Sequence, residues 1–307
     1  MAIFLGIDGG GTKTTCAVAD EQSVLATATS SGSNVTRVGD VRARQALHAA
    51  VREACGAANI APAEIDYACV GLSGAGRPEV RQAIACIMSE VLPGSVEVVS
   101  DLETTLEAAF GAGPGVITIA GTGSIAYGRD GRGQTARAGG WGLAISDEGS
   151  GQWIGRAAVS AILGASDRGE AAPLLEEILK LWKLSTLDDL VRHANASPPP
   201  DFSTLFPPLL RAAQCSDPLA HHVLQQAGNE LAALARSVMR RLFARADSVP
   251  VAMSGGVFRQ SELVRQVFYH SVTAEFPQAC VNSSVIEPVQ GALALARKAA
   301  SGKSPSR

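Results

Sequence analysis

Two segments of this chain share one plan, in which a strand runs into a glycine-rich turn and a second strand returns. The first spans residues 3–20 and carries three consecutive glycines after Asp8. The second spans residues 115–130 and turns at Gly-Thr-Gly, residues 121–123. The apolar runs are short and bounded by turn residues, which favours strands over helices. One such unit opening each half of the chain indicates a duplicated α/β domain.

Both turns are candidate phosphate cradles, because glycines without Cβ atoms let an anion approach the backbone N–H groups. The first turn offers backbone donors, two hydroxyls and one ammonium group, from Gly10, Gly11, Thr12, Lys13 and Thr14. Asp8 could hold a metal ion through water. The motif is neither a Walker loop nor a Rossmann fingerprint, since Gly-x-x-x-x-Gly-Lys is absent and no helix follows the glycines. A hairpin whose glycines only permit positive φ is the alternative.

Length and composition limit the classes of protein. The 307 residues suffice for two domains, and 46% hydrophobic with 18% charged residues predicts an extensive core. A net charge of −3 without a basic run argues against nucleic acid as a partner. No apolar run reaches membrane-spanning length and no signal peptide is evident, so a soluble, cytoplasmic protein is expected. The six scattered cysteines, mostly in apolar segments, predict reduced, buried thiols.

Asp101 stands between a predicted strand, residues 96–100, and a predicted helix, residues 102–110. A carboxylate at this point can cap the helix N-terminus. The carboxyl ends of strands in open α/β sheets also face the ligand crevice, where a catalytic carboxylate belongs. The sequence leaves both roles open.

A second pair of carboxylates, Asp147 and Glu148, lies in a glycine-dense loop that begins at Gly139 and Gly140. A helix is predicted from residue 152, so Asp147 could cap it. Glycines this dense around two carboxylates favour a ligand-binding loop instead.

The rest of the second half is predicted to be mainly helical over residues 165–245, with a long amphipathic helix whose leucine stripe is core. A predicted strand, residues 249–253, ends at Ser254, and Gly255 and Gly256 then lead into a helix. Such a turn lets a flat ligand or a phosphate approach the backbone. Gly291 permits close packing of a final predicted helix.

With these motifs in this order, the chain resembles the bacterial glucosamine and N-acetylglucosamine kinases, which are grouped with the benzoyl-CoA-reductase ATPase-like proteins of the actin, sugar-kinase and Hsp70 superfamily. The resemblance implies an α/β fold with two ribonuclease-H-like (actin-like ATPase) domains around a nucleotide cleft. Residues 1–113, joined by a C-terminal helix at 288–300, would form the first domain. Residues 114–287, with a helical insert at about 165–245, would form the second.

The resemblance also implies ATP and Mg²⁺ as cofactors and an amino sugar as substrate. Asp101 would be the catalytic base, and Asp8 would organise Mg²⁺. Nucleotide contacts would come from Gly10, Gly11, Thr12, Lys13, Thr14, Gly121, Thr122, Gly123, Gly255 and Gly256. Sugar contacts would come from Asn34, Ser73, Asp101, Ser124, Gly139, Gly140, Asp147 and Glu148.

The hypothesis is therefore an ATP-dependent N-acetylglucosamine kinase, with glucosamine as the alternative substrate. The Asp147–Glu148 pair matches the acetylated-sugar enzymes better than the Asp-Gln of glucosamine-specific relatives. A nucleotide-dependent switch that regulates a protein partner is the rival from another class, and a catalytically silent sugar sensor is a third. The resemblance also allows a homodimer.

Overall fold

The computed structural model describes residues 2–302, and they divide into two compact units. One unit comprises residues 2–117 together with 286–302, and the other is Thr118–Val285. The strands are β1 (Phe4–Gly9), β2 (Lys13–Ala19), β3 (Val24–Ser31), β4 (Tyr67–Leu72), β5 (Ser95–Ser100), β6 (Gly115–Ala120), β7 (Ser124–Arg129), β8 (Thr135–Gly139), β9 (Pro250–Ser254) and β10 (Cys280–Ile286).

The helices are α1 (Val35–Val38), α2 (Asp40–Ala58), α3 (Pro78–Ser89), α4 (Asp101–Phe110), α5 (Gly151–Asp167), α6 (Leu174–Trp182), α7 (Leu187–Ala194), α8 (Phe206–Gln214), α9 (Pro218–Leu242), α10 (Gly256–Gln260), α11 (Glu262–Glu275) and α12 (Pro288–Ala300). Short 3₁₀ helices occur at Pro62–Glu64 and Phe202–Leu205. No helix in residues 2–302 combines the length and the apolarity needed to cross a membrane.

The first sheet has the order β3-β2-β1-β4-β5. The three strands β1, β4 and β5 run parallel, with Gly9 opposite Leu72 and Leu72 opposite Ser100. Because parallel strands in this register end at the same edge, the residues that follow them begin side by side. The turn after β1, Ser73 and Asp101 therefore share the carboxyl edge of the sheet.

Alternate residues of the first sheet enter two hydrophobic clusters, as a period of two requires. Leu5 and Ile7 belong to the cluster that includes Leu47 of α2. Phe4 belongs to the opposite cluster with Leu293 of α12. Both faces are covered, so the strands read as continuous apolar runs in the sequence.

Helix α12 packs closely against α4 through a glycine. A Cβ on Gly291 would lie 1.9 Å from the carbonyl oxygen of Thr104. Only hydrogen fits there, which confirms the close packing predicted at this glycine. The contact fixes α4, the helix that begins with Asp101.

The second sheet has the order β10-β9-β6-β7-β8. Strands β7 and β8 are antiparallel, with Ile125 opposite Gly139. Helix α9 packs on both of them, and Leu231, Ala235 and Val238 are fully buried on it. Two residues of the predicted stripe, Leu231 and Val238, are thus core, whereas Leu234 and Leu242 are half-buried.

The prediction that the cysteines are buried holds for three of the six. All six thiols are free; Cys16, Cys55 and Cys69 are buried, whereas Cys86, Cys215 and Cys280 are exposed. The prediction of buried thiols is wrong for the latter three. An apolar neighbourhood in sequence does not place a residue on the inner face of a helix: Ile84 and Ile87 of α3 point inward, whereas Cys86 does not.

Candidate active site

The first glycine-rich turn joins β1 to β2, and the N–H of Gly10 closes it by donating to the carbonyl of Lys13 over 2.9 Å. The Gly10 carbonyl accepts hydrogen bonds from the N–H groups of Ser33 and Asn34, at 3.1 and 3.2 Å. A Cβ on Gly10 would meet only the Lys13 carbonyl oxygen, at 3.5 Å. The turn is therefore held from one side and open on another, as a phosphate cradle requires.

Close backbone contacts support this turn from behind. A Cβ on Gly32 would lie 2.3 Å from the carbonyl oxygen of Gly11. A Cβ on Gly9 would lie 2.4 Å from the hydroxyl oxygen of Ser33. Neither Gly32 nor Ser33 was predicted to be a site residue; a glycine inside the polar stretch 30–36 is the sequence signal that indicates this support.

Thr14 was predicted to contact phosphate, but its hydroxyl is engaged with other residues of the protein. It is fully buried, and its Oγ1 lies 2.7 Å from the carbonyl oxygen of Ser31 and 2.8 Å from Oγ of Ser33. The hydroxyl therefore ties the turn to β3 and its following loop. Thr12 and Lys13 are exposed at the tip, where a ligand can reach their side chains.

Asp8 is half-buried and is followed by Gly9, the last residue of β1. Mg²⁺ in phosphate-transferring sites is held through one or two carboxylates together with phosphates and water. Residues 2–302 contain no group of three or more His, Cys, Asp or Glu suited to a metal ion. A single hard carboxylate beside a phosphate-type turn fits Mg²⁺ that arrives with a nucleotide.

Asp101 is the first residue of α4, and the helix has its own cap. The Oγ of Ser100 accepts a hydrogen bond from the N–H of Glu103 over 3.3 Å, and the Glu103 carboxylate accepts one from the Ser100 N–H over 3.3 Å. This capping box assigns the cap to Ser100. The capping alternative for Asp101 is thereby answered.

The Asp101 carboxyl group is enclosed by protein atoms, although the residue as a whole keeps some exposed surface at the sheet edge. Burial raises the pKa of Asp101 to about 6 because it penalises the charged form, while hydrogen bonds from the Ser73 hydroxyl and the Leu102 N–H act in the lowering direction. A carboxyl with this pKa is more basic than an ordinary aspartate and still mostly ionised at pH 7.

Asn34 caps the short helix α1, its Oδ1 accepting a hydrogen bond from the N–H of Arg37 over 3.3 Å. The amide nitrogen is then the part of this side chain that can donate to a ligand. Because the Asn34 N–H also bonds Gly10, the predicted sugar residue and the predicted phosphate turn are directly connected.

The second glycine-rich turn, in the other unit, is closed by a hydrogen bond from the Gly121 N–H to the Gly123 carbonyl over 2.9 Å. The first N–H groups of α5, from Gly151 and Gln152, donate to the carbonyls of Gly121 and Thr122 at 2.8 and 3.4 Å. A Cβ on Gly121 would meet no atom within 4 Å, so the opposite face of this turn is open.

The turn after β9 packs against Ala120, the residue that precedes the Gly121–Gly123 turn. Gly255 has φ of +99°, and a Cβ there would lie 2.3 Å from the carbonyl oxygen of Ala120. Gly256 then begins α10. The structure thus brings together Gly255 and the start of the Gly121–Gly123 turn, both of which the resemblance implies as nucleotide contacts.

Asp147 is 5% exposed and has φ of +66°, which is uncommon for a residue with a side chain. Its Oδ1 accepts a hydrogen bond from the Gly142 N–H over 3.3 Å, and a Cβ on Gly123 would lie 2.6 Å from its Oδ2. The pKa of Asp147 is raised, chiefly because burial penalises the charged form, and the Glu148 charge raises it further. The hydrogen bond from Gly142 and the Arg156 charge act in the opposite direction.

The loop around Asp147 is tied to the second turn through Ser124, whose hydroxyl donates to the Glu148 carbonyl over 2.7 Å. The Glu148 carboxylate accepts a hydrogen bond from the Ser146 hydroxyl over 3.2 Å. Ser150 caps α5 by accepting from the Trp153 N–H over 3.2 Å, so the capping alternative for Asp147 is also answered. Gly139 and Gly140, at φ of +73° and +68°, bend the chain into this loop.

Comparison with known proteins agrees with the fold. The chain is 31% identical over 302 residues to an N-acetylmuramic acid/N-acetylglucosamine kinase of Clostridium acetobutylicum, covering 97% of this chain and 99% of that one. It is 29% identical over 310 residues to an N-acetyl-D-glucosamine kinase of Dictyostelium discoideum, covering 96% and 97%.

A solved structure from Chromobacterium violaceum, assigned as an N-acetylglucosamine kinase, superposes with a TM-score of 0.76 at 28% identity, covering 96% of this chain and 98% of that one. The two five-stranded sheets with their surrounding helices confirm the predicted fold class. A family model matches residues 5–296, and the chain belongs to the BadF/BadG/BcrA/BcrD ATPase family.

Proposed function

We propose that this chain is an ATP-dependent kinase that phosphorylates a hydroxyl group of an amino sugar, with N-acetylglucosamine as its acceptor. The printed functions of the two similar enzymes support the substrate class. The observation that carries the proposal is Asp101, a carboxyl with a pKa of about 6, on the same sheet edge as a phosphate-type turn. We also propose that the protein acts in the cytoplasm; assembly as a homodimer stays a prediction.

Asp101 serves as the general base. Its carboxylate accepts the proton of the attacking sugar hydroxyl while that oxygen bonds to the γ-phosphorus and the bond to the β–γ bridging oxygen breaks, which leaves ADP. Phosphoryl transfer needs positioning and charge neutralisation more than covalent chemistry by the protein. The Ser73 hydroxyl, which follows the adjacent strand, acts to lower the pKa of the Asp101 carboxyl and so favours its ionised form.

The two glycine-rich turns present backbone N–H groups to the nucleotide phosphates, with exposed Thr12 and Lys13 at the first turn and Thr122 at the second. Gly255 lies against the second turn and lines the nucleotide site with its bare backbone. Mg²⁺ organised by Asp8 supplies charge neutralisation on the phosphates when it is bound.

Asn34, Ser73 and Asp101, at the carboxyl edge of the first sheet, are the residues that we propose contact the sugar. Carboxylates accept hydrogen bonds from sugar hydroxyls, and the Asn34 amide nitrogen donates one. Ser124 acts indirectly, because its hydroxyl is engaged with the Glu148 carbonyl and holds the loop of Asp147 in place.

A panel of acceptors with MgATP tests the proposal, with ADP release as the readout. We expect turnover with N-acetylglucosamine and a higher kcat/KM for it than for glucosamine. Absence of turnover with every amino sugar would contradict the proposal. ATP consumption that responds only to a protein partner would instead favour a nucleotide-dependent switch; the ATPase name of the family is the observation that keeps this second candidate in view.

A further inference from the structure

The segment 201–204 of the helical insert packs closely against the N-terminal part of α5. A Cβ on Gly155 would lie 2.0 Å from the carbonyl oxygen of Phe202. A Cβ on Gly151 would lie 3.2 Å from the Cβ of Ser203 and 3.2 Å from the carbonyl oxygen of Gly121. Because both of these groups are adjacent to the same point beside Gly151, the segment lies next to the second glycine-rich turn.

Gln152, the second residue of α5, joins this segment to the helix by two hydrogen bonds. Its Oε1 accepts from the Phe202 N–H over 3.1 Å, and its Nε2 donates to Oδ1 of Asp201 over 2.5 Å. Since a backbone N–H donates and a carboxylate accepts, these partners determine which amide atom faces which group. The Gln152 residue is 8% exposed, so an amide that lost these partners would be left buried and unsatisfied, which is costly.

The backbone of Gln152 is bonded to the second glycine-rich turn. Its N–H donates to the Thr122 carbonyl over 3.4 Å, next to the bond from the Gly151 N–H to the Gly121 carbonyl. Gln152 therefore contacts a candidate phosphate turn with its main chain and the helical insert with its side chain.

The segment 201–204 is also anchored to the helices of the insert. The Thr204 hydroxyl donates to the Asp201 carbonyl over 2.6 Å and accepts from Nε1 of Trp182, in α6, over 3.1 Å. The Trp182 ring packs edge-on against Phe202 and against His193 of α7, with ring centroids 5.7 and 4.7 Å apart. These contacts form a continuous path from α6 and α7 to the side chain of Gln152.

We propose that Gln152 is a positioning residue of the nucleotide site, which holds segment 201–204 beside the Gly121–Gly123 turn and so makes nucleotide affinity depend on the helical insert. This role rests on the proposed function, because it takes the turn as a phosphate cradle. The Gln152 side chain acts through its partners, since both ends of its amide are engaged with the insert. A neutral amide makes these bonds without adding charge near the phosphates.

The test replaces the Nε2 donor of Gln152 by an oxygen. Gln152→Glu keeps the size and the acceptor for the Phe202 N–H, but it places a second carboxylate against Asp201. We expect KM for ATP, and Kd for MgADP measured by calorimetry, to rise roughly 10-fold, as expected for the loss of a hydrogen bond to a charged group. KM for the sugar should stay close to the parent value. Adding Asp201→Asn should recover part of the nucleotide affinity, because its amide nitrogen can donate to the new carboxylate.

Gln266→Glu is the matched control. Nε2 of Gln266 donates to Oε1 of Glu262 over 3.0 Å, and both residues are exposed on α11. The same exchange therefore breaks the same kind of bond outside segment 201–204, and it should leave KM for ATP and Kd for MgADP at the parent values.

Calorimetry separates this role from the proposed function, because MgADP binding needs no phosphorylation. If no sugar is phosphorylated but MgADP binds and Gln152→Glu alone weakens its Kd, the role of Gln152 stands and the kinase assignment fails. If sugar is phosphorylated and Gln152→Glu keeps the parent KM for ATP, the role is overturned. Equal rises in KM for ATP and for the sugar, with a lower melting temperature and no recovery in the double variant, would show a merely structural role and overturn it as well. Absence of MgADP binding to the parent protein overturns it too.

Discussion

Ser73 and Asp101 lie side by side at the carboxyl edge of the first sheet, and the Ser73 hydroxyl acts to lower the pKa of the Asp101 carboxyl, although the two residues are separated by a whole helix and strand in the chain. The register of β4 against β5 makes this possible, because Leu72 lies opposite Ser100 and each strand is followed at once by the residue in question. The Ser73 hydroxyl thus opposes the effect of burial on the pKa of Asp101. The pKa of Asp101, the proposed base, is therefore influenced by Ser73, a residue that is distant in the sequence and that the pairing of β4 with β5 places next to it.

Asp101→Asn should lower kcat for sugar phosphorylation roughly 10²–10⁴-fold, because Asn keeps the size but cannot accept a proton. The melting temperature should not fall, since Ser100 supplies the helix cap. Steady-state kinetics and thermal unfolding check the two parts.

The neighbouring substitution is the matched control. Ser100→Ala removes the cap and should lower stability by about 0.5–2 kcal/mol while leaving a carboxylate at position 101. If Asp101→Asn turned over sugar at close to the parent rate, Asp101 would not be the base.

The pH dependence of kcat/KM should reveal the same carboxyl. The rate should rise with pH through about 6, as Asp101 loses its proton. Ser73→Ala should move this midpoint to higher pH, because the hydrogen bond from Ser73 acts to lower the pKa. As a control, Ser89→Ala, at the exposed end of α3, should leave the midpoint unchanged. If Ser73→Ala also left the midpoint unchanged, Ser73 would not influence the pKa of Asp101.

The free energy of unfolding should change with pH in the direction opposite to the rate, so that the protein is less stable at higher pH. The pKa of Asp101 is raised from 3.8 to about 6 in the folded protein, so its favourable contribution is fully present below 3.8 and is lost as the pH rises through 6. Asp101→Asn should therefore gain stability relative to the parent, and more at pH 8 than at pH 5. Chemical denaturation at the two pH values measures the difference; an equal gap at both would show that the carboxyl is not buried in the charged form.

Local signals carried much of the fold. The predicted strand at residues 96–100 and the predicted helix at residues 102–110 agree with β5 and α4 to within one residue, and the strands around both glycine-rich turns form where short apolar runs end at turn residues. Strands β8 and β10 were not predicted. β10 is an edge strand that contains Asn282, Ser283 and Ser284, and none of its residues is buried, so it lacks the apolar pattern that predicts a strand.

The chemistry of the candidate site was harder to predict from the sequence than the fold. The sequence pointed to Asp101, but the capping box and the extended backbone of Ser100, at φ −73° and ψ 154°, show which of the two residues caps the helix. The engagement of Thr14 depends on Ser31, which reaches it through strand pairing. The pocket lined by Ser146, Glu148 and Trp153 depends on how a loop folds back over α5, which no local pattern in the sequence encodes.

Gly255→Ala should impair the nucleotide site. The new Cβ would lie 2.3 Å from the Ala120 carbonyl oxygen, at a backbone φ of +99°. We expect a higher KM for ATP and lower stability, because the turn must move away from Gly121. Gly169→Ala separates strain from contact: its φ is +70°, but no atom lies within 4 Å of the new Cβ. It should cost only about 1–2 kcal/mol of backbone strain, with KM for ATP unchanged; similar KM values for both variants would remove Gly255 from the nucleotide site.

Two helical glycines should respond to alanine with opposite signs. At Gly291 in α12 the new Cβ would lie 1.9 Å from the Thr104 carbonyl oxygen, which is backbone and cannot rotate away. The helices α12 and α4 must separate, at a cost of about 1–3 kcal/mol or more, typical of overpacking. At Gly56 in α2 no atom lies within 4 Å of the new Cβ, so alanine should stabilise by about 0.5–1 kcal/mol through its better helix propensity. Because α4 begins with Asp101, Gly291→Ala should also lower kcat, whereas Gly56→Ala should leave kcat at the parent value. Denaturation midpoints and kcat measured on both variants check this, and a Gly291→Ala protein as stable as the parent would contradict the close contact between the two helices.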